Sequence, residues 1–164
     1  PGSLYAMAKY AGEKLLEMQF CGSTDVKYTT LRLDYVIQSQ RLVSALCRTA
    51  KEKECINIQG GKQIFSYIDR IDVAKAIVAM IKFDGQWKPV YNVGHNRTRY
   101  TIMEIADTVK AVCMNNGIQS VRINLDKNDT ELWAGMDSTL FMEDTGWNPS
   151  MNIYQMVEGI YEKV

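Results

Sequence analysis

Short runs rich in β-branched residues alternate with longer stretches of helical periodicity along these 164 residues, and that alternation restricts the fold more than any other feature. Ser3 is placed to cap a helix over 3–20, where Leu4, Ala8, Ala11, Leu15 and Met18 recur at helical spacing before a Cys21-Gly22-Ser23 stop. A strand over 27–33 follows, then a helix over 38–53, a short strand at 56–58 closed by Gly60-Gly61, and a helix over 68–83. Residues 89–94 read as a strand entering a loop. Thr101 and Glu104 make a capping box that opens a helix to about Asn116, with Gly117 behind it. A strand over 120–125 and helices over 138–145 and 152–163 complete the order. The pattern predicts an α/β fold with partly parallel pairing. The strands are too few for a complete doubly wound sheet, and no glycine-rich turn of the GxGxxG kind follows any of them. With no repeat or linker, residues 1–164 read as a single folded unit.

Composition removes several function classes. Lys plus Arg number 19 against 19 Asp plus Glu, with no basic run, so nothing marks a nucleic-acid partner. No apolar stretch approaches the roughly 20 residues of a membrane span, which predicts no membrane partner. Pro1-Gly2-Ser3 resembles neither a signal nor a transit peptide. Cys21, Cys47, Cys55 and Cys113 form no CxxC pair and have no histidines at zinc spacing, so no metal is expected. Reduced, mostly buried thiols fit a cytoplasmic protein.

The chemistry-bearing feature is Tyr5 and Lys9, four residues apart and therefore one turn apart on a single helical face. A phenol titrates near about 10, and acid–base work at neutral pH needs a neighbouring cation that favours the phenolate. Tyr10 and Lys14 share the same spacing. At about 100° per residue, Leu4, Ala8, Ala11, Leu15 and Met18 form one apolar stripe, and Tyr5, Lys9, Gly12 and Leu16 the adjacent face. Tyr10, Glu13, Lys14 and Glu17 fall on the remaining side, which reads as a solvated surface with charge pairs. Tyr5–Lys9 is the stronger catalytic pair. Elsewhere His95 reads as a loop residue, Asn92 and Gly94 as strand-end residues, Asp69 and Asp72 as helix-start residues, and Trp147 as a core anchor.

Pro1-x-Ser3-x-Tyr5-x-x-Ala8-Lys9-x-x-Gly12-Glu13 resembles the P-x-S-x-Y-x-x-[SA]-K-x-x-[GA]-E segment of the extended short-chain dehydrogenase/reductases, the nucleotide-sugar epimerases and dehydratases among them. The likeness continues in order through Tyr28-Thr29-Thr30-Leu31-Arg32-Leu33, Phe65-Ser66-Tyr67-Ile68-Asp69, Asp72-Val73-Ala74-Lys75-Ala76 and Val90-Tyr91-Asn92-Val93-Gly94. It runs on through Thr101–Ala106 to Asp137-Ser138 and Gly146-Trp147-Asn148-Pro149. The resemblance implies the C-terminal part of a Rossmann-like fold, without its GxxGxxG half. On it, 1–55 are C-terminal Rossmann elements, and 56–164 are mainly a substrate-binding lobe with segments returning to the sheet. It further implies NAD or NADP as cofactor, a nucleotide-sugar substrate, Tyr5 as acid/base, and Lys9 on the nicotinamide ribose. A homodimer through the Tyr5–Lys9 helix is also implied, for which the apolar stripe is suited, although burial inside the chain explains the stripe equally well.

Two departures stand beside the likeness. Where the family commonly reads x-x-N-V-Y-G-P after the strand arginine, this chain has Leu33-Asp34-Tyr35-Val36-Ile37-Gln38-Ser39. Tyr35 and Val36 therefore stand at cofactor-contacting positions, and Gln38 at a substrate-contacting one. The arginine that often holds the substrate diphosphate falls near Phe65; Arg70, Arg97 and Arg99 are the candidates to replace it. Two functions are expected on these grounds: part of an NAD(P)-dependent epimerase or dehydratase, inactive by itself, or a non-catalytic sugar-nucleotide-binding or scaffold relative.

Overall fold

The structure, a computed structural model, describes residues 3–96, 99–126 and 131–164. Helix α1 (Leu4–Phe20) starts where Ser3 Oγ accepts the Ala6 N–H at 3.2 Å, and it ends before Gly22, whose φ of +79° suits a residue without Cβ. Strand β1 (Thr30–Leu33) then pairs in parallel with β6 (Val90–Val93), Thr30 opposite Val90 and Leu33 opposite Val93. The intervening crossover carries β2 (Tyr35–Val36), a 3₁₀ turn at Ile37–Ser39, α2 (Arg41–Lys53), β3 (Cys55–Gln59), β4 (Ile64–Phe65), β5 (Tyr67–Ile68) and α3 (Arg70–Lys82). Beyond β6 come β7 (Tyr100–Thr101), α4 (Ile102–Asn115), β8 (Arg122–Asp126), α5 (Thr139–Thr145) and α6 (Ile153–Tyr161). The pairs β2–β5 and β3–β8 are parallel, and β4–β7 is antiparallel. This is the α/β architecture with parallel pairing that the alternation predicts.

Two apolar clusters hold it. The larger packs α2, α4 and α6 against β3, with Val43, Ala50, Ile56, Val109, Val112 and Val157 wholly buried. The alternation along Cys55–Gln59 sends Ile56 and Ile58 inward. The smaller cluster lies under β6, where Tyr91 meets Phe141 edge-on at 5.4 Å and Phe141 meets Trp147 at 5.5 Å. Trp147 Nε1–H also donates to the Asp72 carbonyl at 3.1 Å. The Asp72 carboxylate, fully buried on α3, accepts the Ser150 and Met151 N–H groups at 3.0 and 2.9 Å and the Ser150 hydroxyl at 2.8 Å. A buried carboxylate is tolerated because these donors replace its water. Asp69 is the helix N-cap, accepting the Ile71 N–H, whereas Asp72 does more than complement a helix start: it ties the C-terminal segment to α3.

The structure shifts some boundaries. The strand read over 27–33 contracts to 30–33, the stretch with a partner in β6. The helix read from Gln38 begins at Arg41, because 37–39 form the 3₁₀ turn. The helix read from Ile68 begins at Arg70, since Ile68 pairs with Val36. The stripe on α1 buries nothing within the described chain: Leu4 is 85 % and Met18 80 % exposed. All four cysteines are free thiols; burial pushes Cys47 up to about 12, and Cys113 is raised for the same reason, so both are inert. Among the described residues no helix is long and apolar enough to cross a membrane.

Trp147→Ala is expected to destabilise the chain by about 3–5 kcal/mol in urea unfolding, the cost of an emptied aromatic core site. Trp133→Ala, at a residue 69 % exposed, should stay within about 1 kcal/mol of wild type. Equal losses at the two tryptophans would contradict the assignment of Trp147 as the core anchor.

Candidate active site

On α1, Lys9 Nζ lies 5.6 Å from the centroid of the Tyr5 ring, and Lys14 Nζ lies 5.6 Å from that of Tyr10. Local spacing thus treats the two pairs alike, and their surroundings separate them. Lys14 is drawn into an ion pair with Glu17 at 2.6 Å on the open side of the helix. Tyr5, Lys9, Gly12, Glu13 and Leu16 instead face Thr30–Leu33 of β1 across a cavity of about 440 Å³. Glu13, placed with the solvated face by helical angle alone, belongs to this wall. It sits at the border between the two faces, and Arg32 draws it inward, donating Nε–H at 2.9 Å and Nη2–H at 2.6 Å to its two oxygens. The hydrogen bond from Arg32 holds the Glu13 carboxyl below its ordinary range and raises the guanidinium in return. This two-point pair docks α1 onto β1 and sets which helical face looks at the strand.

At the carboxyl end of β1 the chain turns through Asp34, which is buried. Its carboxylate accepts the Tyr35 N–H at 2.9 Å and the Ser66 hydroxyl. Gly94 closes against it, since a Cβ there would stand 2.9 Å from Asp34 Cβ. A second cavity, of about 280 Å³, opens here between Leu33, Asp34 and Tyr35 on one side and Trp133–Met136 on the other. Leu33 lines both cavities. Ligands of parallel α/β sheets sit at the carboxyl ends of strands, and Leu33 stands at that end of β1.

The remaining candidates divide. Tyr35 is exposed at this end and Val36 is half-buried in β2. Gln38 has both ends of its amide engaged, Nε2–H on the Asp69 carboxylate and Oε1 on the Arg70 N–H at 3.1 Å, so it and Arg70 are brought together at the start of α3. Arg99 lies over the Trp133 ring, 5.4 Å from its centroid. Arg97 lies outside the described residues. Phe65 stacks on Tyr67 at 5.9 Å. His95 is half-buried, not a plain loop residue. Burial lowers its pKa against the opposing pull of Asp72 and Asp34. Its Nδ1 has no hydrogen-bond partner. Sequence alone does not single out Trp133, which falls in a stretch with no period; Glu13 ends the matched segment, but its place in this wall comes from the long-range contact with Arg32. Among the described residues no three His, Cys, Asp or Glu side chains form a metal-binding group.

A family model described as "NAD dependent epimerase/dehydratase family" matches residues 1–94. The chain belongs to this family. No curated protein matches it in sequence. Among solved structures, it is similar to the ADP-L-glycero-D-manno-heptose-6-epimerase of Helicobacter pylori, with 17 % identity and a TM-score of 0.78 over 99 % of this chain and 51 % of that one. It is similar also to a Bacillus cereus UDP-glucuronic acid 4-epimerase in complex with UDP-glucuronic acid and NAD, with 19 % identity and a TM-score of 0.73 over 99 % and 52 %. A Thermotoga maritima UDP-glucose 4-epimerase with UDP-glucose has 24 % identity and a TM-score of 0.73 over 99 % and 53 %. At these identities the likeness establishes the fold. The chain spans about half the length of each of these epimerase chains.

If Arg32 holds α1 in place for this epimerase/dehydratase-family chain, Glu13→Gln should speed amide exchange across residues 12–17 by roughly two- to fivefold, the worth of a solvent-reachable ion pair. Amides of α4 and α6 should keep their protection. Unchanged exchange in α1 would show that the helix is held by something other than this pair.

Proposed function

We propose that this chain supplies the acid–base pair and the substrate side of an NAD(P)-dependent nucleotide-sugar epimerase or dehydratase. The observation that carries the reading is the facing of Tyr5 and Lys9, and not Tyr10 and Lys14, onto β1 across one cavity. The residues there fit the nicotinamide end of a dinucleotide: a phenol, an ammonium and a glycine with open space at its Cβ position surround a cavity large enough for a ribose and its ring. They offer nothing for the pyrophosphate, for which no glycine-rich turn exists in this sequence.

In this reading Lys9 donates hydrogen bonds to the ribose hydroxyls of the nicotinamide nucleotide and keeps a positive charge beside Tyr5. Tyr35 and Val36 follow β1 on the cofactor side. The nicotinamide, when bound, supplies reversible hydride transfer. Tyr5 accepts the proton of the sugar hydroxyl as the carbon is oxidised, and returns it when the carbonyl is reduced. The same start serves an epimerase or a dehydratase, since both pass through a keto sugar; the isomerase and lyase outcomes diverge only after that ketone has formed. Gln38 and Arg70 act together at the substrate end of the lobe, their amide and backbone contacts fixing that corner. The division into Rossmann elements over 1–55 and a lobe over 56–164 belongs to this reading, with β6 and α3 as the segments that return to the sheet. The exposed stripe of Leu4, Ala8, Ala11, Leu15 and Met18 is assigned to a homodimer contact along α1, and the inert buried thiols fit the cytoplasm.

The test has two parts. The chain alone, mixed with NAD or NADP and a panel of UDP-, GDP- and dTDP-sugars, should convert none of them; cofactor-dependent conversion by these residues would refute that. Joined to a dinucleotide-binding half that restores turnover, Tyr5→Phe should lower kcat by about 10²–10⁴-fold with the fold intact. Activity unchanged by that substitution would remove Tyr5 from the mechanism.

A further inference from the structure

We propose that Asn116, the residue that caps the end of α4, is a site of spontaneous covalent modification. Its side-chain amide closes onto the Gly117 nitrogen with loss of ammonia, and the aspartyl or isoaspartyl residue left after hydrolysis uncaps the helix. The inference is independent of the nucleotide-sugar reading above.

Asparagine is a thermolabile side chain, and its lability depends on the residue that follows it. The nucleophile is the next backbone nitrogen, so a bulky side chain there blocks the approach, and a proline has no N–H to give up. Of the nine asparagines in the sequence, Asn57, Asn92, Asn124 and Asn152 precede Ile, Val, Leu and Ile, and Asn148 precedes Pro149. Asn116 alone precedes a glycine. Both residues are exposed, and a Cβ built on Gly117 would meet nothing within 4 Å, so water reaches the site. In the first step the Gly117 nitrogen bonds to Asn116 Cγ and loses its proton, while the Cγ–Nδ2 bond breaks and ammonia departs. Water then opens the cyclic imide. Opening at Cγ leaves a normal peptide with an aspartyl side chain; opening at the main-chain carbonyl reroutes the backbone through Cβ and Cγ. Water is the only co-reactant.

The fold restrains this reaction without removing it. Gly117, with φ at +94°, donates its N–H to the Met114 carbonyl at 3.1 Å, and Ile118 donates its own to the Cys113 carbonyl at 3.1 Å. These are the two bonds of a Schellman cap. Asn116 Nδ2–H donates to the Val112 carbonyl at 2.8 Å, which turns the amide back along the helix. Nucleophile and amide are therefore both engaged until the last turn opens, an event confined to the exposed end of α4. Conversion undoes these contacts. A carboxylate has no N–H for Val112, and it adds negative charge at the helix end where the macrodipole is already negative. The isoaspartyl form also lengthens the backbone ahead of Gly117, so the Gly117 and Ile118 donors lose register with their carbonyls. Two neighbours feel the loss: Ile118 packs against the larger apolar cluster, and Asn115 Nδ2–H donates to the Tyr154 hydroxyl of α6 at 2.7 Å.

The experiment is incubation of the intact chain at mildly alkaline pH, followed by peptide mapping with mass spectrometry. The acid product should appear at Asn116 roughly tenfold or more faster than at any other asparagine. A synthetic peptide of residues 108–122 should convert roughly tenfold faster still, because no cap holds its amide. Asn116→Gln, whose longer arm must close a larger ring, should not convert. After conversion, amides 115–118 should exchange roughly three- to tenfold faster than in the parent chain, with those of α2 unchanged. Asn116→Asp should reproduce part of that acceleration. An unconverted Asn116, or conversion there no faster than at Asn115 or Asn148, would overturn the site. Equal rates in chain and peptide, or unaltered exchange after conversion, would overturn its coupling to the cap.

Discussion

The parallel pairing of β1 with β6 joins residues 60 positions apart, Thr30 with Val90, and the rest of the molecule is arranged around it. Parallel neighbours need a crossover, and everything from β2 to α3 is accommodated inside this one. The Asp34 N–H donates to the Val93 carbonyl at 3.0 Å, which brings the end of β1 against Gly94 and makes room for the buried Asp34 carboxylate. On one face of the strand Leu31 packs into the cluster with Tyr91 and Trp147; from the other, Arg32 reaches Glu13 of α1. The strand thus decides both where the smaller core lies and how the helix carrying Tyr5 and Lys9 is turned.

Charge is used sparingly and at long range. Asp72 holds the Ser150–Met151 segment, Asp34 holds Ser66 and Tyr35, and Asp69 holds Gln38 and the first turn of α3. Each buried carboxylate is satisfied by hydrogen-bond donors instead of by a cation at hydrogen-bond distance; Lys75 approaches Asp72 only to 3.8 Å. The consequence for the site is a rigid frame at the carboxyl end of β1, with exposed groups such as Tyr35, Trp133 and Arg99 mounted on it.

Much of this is legible in the residues. Helices announce themselves through periodicity and caps. The Thr101–Glu104 box forms where the sequence places it, and Asn152 and Gln155 make a second box at α6. Gly22 and Gly117 adopt positive φ just past the helices they stop. The two-residue strands β2, β4, β5 and β7 are not legible, because at that length no alternation exists to read and only the partner strand defines them. The site is legible where it is local, as with Tyr5 and Lys9 on one turn. It is not where it depends on distant contacts: Glu13 joins the wall through Arg32, Gln38 is engaged by Asp69 and Arg70, and Trp133 acquires its place from Ile64.

The central claim is spatial: the acid–base pair we propose, Tyr5 and Lys9, works in the cavity that these residues form with β1. Chemical-shift mapping of the isotopically labelled chain, with the tightest binder among UDP-glucose, dTDP-glucose and GDP-mannose, tests it most directly. The account predicts perturbations centred on Tyr5, Lys9 and Gly12 of α1 and on Thr30–Leu33 of β1. Perturbations centred instead on the apolar cleft between α3 and α5, at Ile71, Val78 and Phe83, would contradict it.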